Sequence, residues 1–264
     1  MNANNNVVDT NVILDRRSQI LELIDKYGQV KVSDLSKMYN VSEVTIRNDL
    51  TQLEEKGLLI RARGGAFRAH RVALDHTLNV KIKKNQKEKQ AIGKAAVELI
   101  DEGETIILDS GTTTMEVARN LGSFKELTVI TNALNIAIEL AQFPQIKLII
   151  PGGFLRDKSL SLIGPIAENS IRNYYCDKFF MGVDGIDANY GISTPNADEA
   201  HLNKLMIDIS REVIVVTDSS KFLKRSFAFI SDNSSIDIVI TDDGISNEEK
   251  NKFENLGVKI IIAE

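Results

Sequence analysis

A single cysteine, Cys176, cannot close an internal disulfide, which points to a reducing compartment, the cytoplasm. That cysteine and three scattered histidines, His70, His76 and His201, offer no zinc-ligand spacing, so no metal and no cofactor is expected. No apolar run approaches the ~20 residues that cross a bilayer, and the N-terminus lacks a basic-then-apolar signal pattern, so no membrane partner is expected. Internal repeats and low-complexity tracts are also absent. What remains is a globular composition, 43% hydrophobic and 26% charged, in 264 residues: room for one small domain and one large one.

The net charge of −5 hides a split. Residues 1–90 hold 16 Lys and Arg against 11 Asp and Glu, whereas residues 91–264 hold 16 against 26. A polyanion is therefore drawn to the front third and repelled by the rest.

In that front third, Gln29 to Leu50 predicts two short helices joined by a tight turn. Ser33 is a candidate N-cap for Asp34–Tyr39, and Ser42 caps the second helix. Ile46, Leu50 and Leu53 recur at i, i+4 and i+7 as one apolar stripe, and Gly57 supplies the stop. Val44, Asn48, Thr51 and Gln52 fall on the opposite face, flanked by Thr45 and Arg47. Such a face suits the major groove: Asn pairs with adenine, Thr meets a thymine methyl, and Arg takes guanine or phosphate. Ser42, Thr45, Arg47 and Asn48 are the candidate DNA-binding residues here, with Thr45 and Asn48 on bases and Arg47 open between base and backbone.

Upstream, Ile20, Leu21, Leu23, Ile24 and Tyr27 mark a first amphipathic helix closed by Gly28. Downstream, Leu58 to Phe67 alternates apolar and basic residues and turns at Gly64-Gly65, a β-wing that aims Arg61 and Arg63 at phosphates. Three helices and a wing make a winged helix-turn-helix over residues 16–67, preceded by a mobile tail over 1–15. Phe67 to Leu78 has no clear periodicity, and the linker is expected over 68–85. The basic run Lys81 to Lys89 enters a helix and is expected to be a solvated face, with contact to flanking DNA phosphates as the lesser alternative.

Residues 86–264 alternate apolar runs with helical segments. The runs Thr105–Leu108, Leu127–Ile130, Ile146–Ile150, Lys178–Met181, Val213–Val216, Ile236–Ile240 and Val258–Ile262 predict an α/β domain with an open, mostly parallel sheet covered on both faces. Ligands bind beyond the carboxyl ends of such strands. There the chain carries Asp109, Ser110, Gly111, Thr112 and Thr113 before a helix, then Asn132, Gly152 and Gly153, Asp184 and Lys221. Hydroxyls and a Gly at a helix start can wrap an anion. Asp184 and Asn132 suit hydroxyl or amine groups, and Lys221 and Arg156 supply countercharge, so a phosphorylated sugar is the expected effector.

These residues resemble the DeoR family of bacterial sugar-metabolism regulators, from Arg16 to Ala263. The likeness is carried by Val41–Leu50, Arg61–Gly65, Leu108–Thr113 and Thr217–Phe222. The resemblance implies a sensing domain of ribose-5-phosphate-isomerase-like type and a repressor that acts as a homo-oligomer on double-stranded operator DNA until a sugar phosphate releases it. The competing expectation is a sugar-phosphate isomerase or deaminase with an accessory DNA-binding module, since Asp184, Glu199 and His201 are groups that can move a proton.

Overall fold

The computed structural model of the protein describes residues 16–24, 27–55, 58–62, 64–68 and 75–264. The tail expected over 1–15, the helix stop at Gly57, the wing residue Arg63 and positions 69–74 of the expected linker lie outside the described residues. The chain divides into two compact units, Met1–Arg71 and Val72–Glu264.

The first unit contains α1 (16–24), β1 (Gln29–Lys31), α2 (Val32–Tyr39), α3 (Glu43–Glu55), β2 (Leu59–Ala62) and β3 (Gly65–Arg68). Ile20 and Ile24 of α1, Val32 and Leu35 of α2, and Ile46, Leu50 and Leu53 of α3 form one core with Leu59 and Ala66. Each large side chain buried there contributes roughly 1.5–3 kcal/mol. The stripe read from the sequence is thus the inner face of α3, and Val44 on the opposite face is 62% exposed. Gly28, at φ +74°, donates its N–H to Ile24 O at 2.8 Å and ends the first helical stretch as expected.

Two local expectations fail for one tertiary reason. Gln29–Lys31 is not the approach to a helix but an edge strand, antiparallel to β3 with Val30 opposite Ala66. Ser33 is not the cap of α2; the helix starts two residues earlier than expected, at Val32, whose N–H donates to Gly64 O at 2.9 Å. Pairing with the wing thus sets where α2 begins, and no side-chain cap is formed there.

In chain order the second unit runs α4 (Leu78–Ile82), α5 (Gln86–Val97), β4 (Thr105–Leu108), α6 (Thr112–Arg119), β5 (Leu127–Thr131), α7 (Leu134–Leu140), β6 (Ile146–Ile149), β7 (Phe154–Arg156), β8 (Ser161–Ile163) and α8 (Pro165–Ile171). It continues with β9 (Cys176–Met181), β10 (Gly185–Asp187), β11 (Gly191–Thr194), α9 (Ala197–Asp208), β12 (Ser210–Val216), β13 (Ala228–Ser231), β14 (Ile238–Thr241), α10 (Asn247–Asn255) and β15 (Lys259–Ile262). Seven strands pair in parallel in the order β15-β14-β12-β9-β4-β5-β6. Each of the seven apolar runs is one of them.

Alternation along the strands splits the core in two. Ile107, Phe179, Met181 and Val215 face one way, against Leu202, Met206 and Phe253 of α9 and α10. Ile106, Leu108, Phe180 and Ile214 face the other, against Ile92, Val117 and Ile136 of α5, α6 and α7. Chain order reverses between β4 and β9, and in open α/β sheets the carboxyl ends at such a reversal flank the ligand crevice. Two small antiparallel sheets, β7-β8 and β10-β11-β13, were not foreseen, because Gly, Ser, Thr, Asp and Arg interrupt these short strands and leave no continuous apolar run. Among the described residues, no helix is long and apolar enough to cross a membrane.

The linker expected over 68–85 needs correction at its C-terminal half. Residues 75–85 bond to the sheet unit: Leu78 N–H to Lys158 O at 2.9 Å, and Asn85 Nδ2 to Asp218 Oδ1 at 2.6 Å. The basic run is not wholly a solvated face either. Lys89 is 5% exposed and donates to the carbonyls of Lys81 and Lys84 at 2.7 and 2.6 Å. An ammonium placed there satisfies the orphan carbonyls at the end of α4.

Candidate nucleic-acid interface and ligand site

Along α3, the Ser42 hydroxyl accepts Thr45 N–H at 3.1 Å and lies 2.8 Å from Thr45 Oγ1, a cap as expected. Asn48 is exposed and Thr45 half-buried, so the structure brings both to the outer face of the helix. Arg47 pairs with Glu43 at 2.5 Å with both side chains about half exposed. Such a surface pair is worth about 0–1 kcal/mol and leaves Arg47 free to turn to phosphate or base. Arg61 reaches from the wing to Thr51 Oγ1 at 2.8 Å, and Thr51 in turn donates to Arg47 O at 2.9 Å. One polar chain therefore joins wing and recognition helix.

Asp49 was missed by the sequence reading. It is 2% exposed and takes Arg16 Nε and Arg17 Nε at 2.7 Å each, tying α1 to α3 from within. Nothing in its local spacing marks it, because its partners lie 33 and 32 residues away. Removing it would strand two half-buried cations at a cost of about 3–5 kcal/mol.

In the second unit, β4 delivers Asp109–Thr113 and β9 delivers Gly182–Asp184 to the two sides of the switch point. Asp109 N–H donates to Phe180 O at 3.1 Å, so the two chains are still paired as they leave the sheet. Asp109 is 3% exposed; its Oδ1 accepts Ser110 N–H at 2.6 Å and its Oδ2 accepts Asn203 Nδ2 at 3.3 Å. Burial first, and then the Glu199 charge, pushes its carboxyl up to about 8. Near neutral pH Asp109 is therefore a neutral acid able to donate.

Glu199, held on the first turn of α9 by the Asn196 cap, accepts from Ser159 and Ser161 hydroxyls at 2.5 and 2.7 Å and from Arg156 at 3.4 Å. Asn132 stands next to this group, with its carbonyl accepting Leu162 N–H at 2.7 Å. Its side chain is 1% exposed, and neither Oδ1 nor Nδ2 has a partner. A buried amide without partners costs free energy that a polar ligand would recover.

On the β9 side, Asp184 Oδ1 takes Lys221 Nζ at 3.1 Å and Oδ2 takes Lys81 Nζ at 2.8 Å. Burial alone would raise its carboxyl, but the two lysine charges hold it below the usual range. Burial and the charges of Lys84, Lys81 and Lys221 likewise depress His76. The β9 side of the crevice is thus net cationic, with two lysines against one carboxylate, while on the β4 side the Glu199 charge is met by Arg156.

Asp109, Ser110, Asn132, Asp184 and Lys221 are brought around the strand ends, with Gly111 as the N-cap of α6 and Thr112 and Thr113 in its first turn. Gly152 and Gly153 lie between β6 and β7. Both have positive φ, and a Cβ on Gly153 would lie 2.6 Å from Ile163 O, so this glycine serves the close approach of β8. Sequence reasoning missed Ser159 and Ser161 because β8 was not foreseen, and Asp75 and Lys81 because they sat in the expected linker. His201 is a surface residue beside Glu168, and Cys176 is 5% exposed in the core. Among the described residues, no cluster of three His, Cys, Asp or Glu is placed to hold a metal ion.

Comparison with known proteins agrees with this division. Residues 16–72 match the DeoR-like helix-turn-helix domain and residues 84–243 the DeoR C-terminal sensor domain. The protein named as aga operon transcriptional repressor in Escherichia coli O157:H7 is 42% identical over 250 residues, 94% of this chain and 93% of that one. The regulator GlpR of Haloferax volcanii is 36% identical over 94% of this chain and 96% of its own, and GolR of Listeria innocua 35% over 95% and 98%. Among solved structures, ribose 5-phosphate isomerase A from Methanocaldococcus jannaschii covers 53% of this chain and 56% of its own, at 20% identity and a TM-score of 0.41, too distant to bear on chemistry. The relatives near this chain in sequence carry the names of regulators, and the isomerase or deaminase alternative is set aside on that ground. A winged reader of duplex DNA joined to a sheet-built sensor, matched over nearly its whole length, places this chain in the DeoR family of transcriptional regulators.

Proposed function

We propose that this protein is a cytoplasmic homo-oligomeric repressor of a sugar-catabolism operon, released from its operator when a phosphorylated sugar fills the crevice. The observation that carries this reading is the position of Asp109–Thr113 and Asp184 just beyond the carboxyl ends of the two strands that flank the switch point. The sugar's phosphate would meet the N-terminus of α6 with Lys221 as countercharge, and its hydroxyls would engage Asp184, Asn132 and the neutral Asp109. A two-fold oligomer suits an operator with two half-sites.

On the DNA, Thr45 and Asn48 read bases, while Arg61 and Arg63 hold phosphates. Asn48→Ala is expected to lose about 1–3 kcal/mol at one base pair and relax preference there. By contrast, Arg61→Ala should weaken all sequences alike and lower the salt slope by about 1. Binding titrations on operator and random duplexes at several salt concentrations check both; equal losses on the two DNAs for Asn48→Ala would refute its role as a base reader.

The effector half is tested by thermal shift against a panel of sugar phosphates. A true effector at about a hundred times its Kd should add about 2.7 kcal/mol of stability. It should also release a duplex taken from upstream of the protein's own gene. Stabilisation without release, or release without stabilisation, would break the proposed link.

A further inference from the structure

We propose that residues 75–82 are a tethered stand-in for the effector: Asp75 and Lys81 occupy charges that a bound sugar phosphate would otherwise engage, and the ligand expels them. This rests on the sugar-phosphate reading above. The Asp75 carboxylate sits on Arg156 at 2.5 Å and Lys158 at 2.9 Å, as a ligand's acceptor oxygens would. Six residues on, the Lys81 ammonium sits on Asp184 at 2.8 Å, as a ligand's hydrogen-bond donor would. One short segment thus presents both signs of charge to the crevice.

The way the segment is held makes exchange possible. No side chain of α4 is fully buried: Val80 and Ile82 are 42% and 46% exposed, and Leu78 is only partly covered. Its attachment is mainly polar: the three ion pairs, Leu78 N–H on Lys158 O, and Lys89 on the carbonyls of Lys81 and Lys84. Ion pairs and hydrogen bonds of this kind can be replaced one for one by phosphate oxygens and sugar hydroxyls, whereas buried apolar area could not.

The segment's position gives the exchange a consequence. It falls between the two matched regions, which end at 72 and resume at 84. Asp75 follows the last residue of the DNA-binding unit, Arg71, by four positions. Expulsion therefore acts on the chain that leads directly to the operator reader. Competition also supplies what any such switch requires, a ligand that binds the undocked arrangement better than the docked one.

The test uses the full-length protein, Lys81→Met and Asp75→Asn, with ribose 5-phosphate, fructose 6-phosphate, galactose 6-phosphate and glucosamine 6-phosphate as probes. Whichever probe binds the wild type should bind both variants about tenfold tighter, the gain expected when a competing state populated about nine to one is removed. In the wild type, that probe should also speed amide hydrogen exchange across 78–82, a readout that needs no variant. Weaker or unchanged binding in both variants, or slower exchange on binding, would overturn the stand-in and leave the sensor reading intact. If no probe binds any of the three proteins, both readings fall together; binding to the variants alone supports the stand-in.

Discussion

Gly65→Ala is expected to abolish operator binding while leaving the sensor unit's response to a sugar phosphate unchanged. A Cβ at this position would lie 2.1 Å from the Val30 carbonyl oxygen and 3.3 Å from Lys31 Cα, both backbone atoms of β1. Neither can step aside without unpairing β1 from β3, and the Gly64–Val32 bond that sets the start of α2 would go with it. Overpacking a core costs about 1–3 kcal/mol, and a clash with backbone lies at or above the top of that range. For so small a unit that is a large share of its stability. Gly64→Ala is the control. Gly64 has φ +86° but open space around a Cβ, so only the left-handed strain of about 1–2 kcal/mol applies. Operator affinity and circular dichroism on the two variants decide the matter; full operator affinity in Gly65→Ala would show that β1 is dispensable.

The second large effect is a pH dependence centred on Asp109. Its carboxyl, buried and facing Glu199, is pushed up to about 8, against about 3.9 in the unfolded chain. Between those values the folded state keeps a proton that the unfolded state has lost, so stability falls as pH rises. The loss approaches about 1.4 kcal/mol per pH unit and ends once pH passes the folded value. Asp109→Asn removes the titration while keeping an oxygen for the Ser110 N–H. The variant should therefore melt progressively higher than wild type as pH rises from about 5 to 8, with the gap widest at the alkaline end. Parallel Tm profiles across that range would mean that Asp109 is ionised throughout.

Asp109 also illustrates how far the sequence could be read. Its position after an apolar run and before Ser110-Gly111-Thr112 announced a strand end and a helix start. Its raised carboxyl did not, because that depends on Glu199, 90 residues later, and on the burial they share. The same holds in the DNA-binding unit. Ile46, Leu50 and Leu53 declared the inner face of α3 by spacing alone, whereas β1 and the Asp49 pair with Arg16 and Arg17 left no local mark. Lys81 and Lys89 read as a solvated run because charge and order in sequence do not say which side chain will find a carbonyl or a carboxylate.

By itself the sequence determined what is periodic or locally capped: the seven strands, the recognition helix and its outer face, the Ser42 cap and the polarity of the strand ends. Those follow from side-chain spacing and backbone geometry within a few residues. Only the tertiary structure decided which strand ends face one another across the switch point, that β1 completes the wing, and that residues 75–85 belong to the sensor. Each of these arises from pairing between groups far apart in the chain, where neither period nor composition carries information.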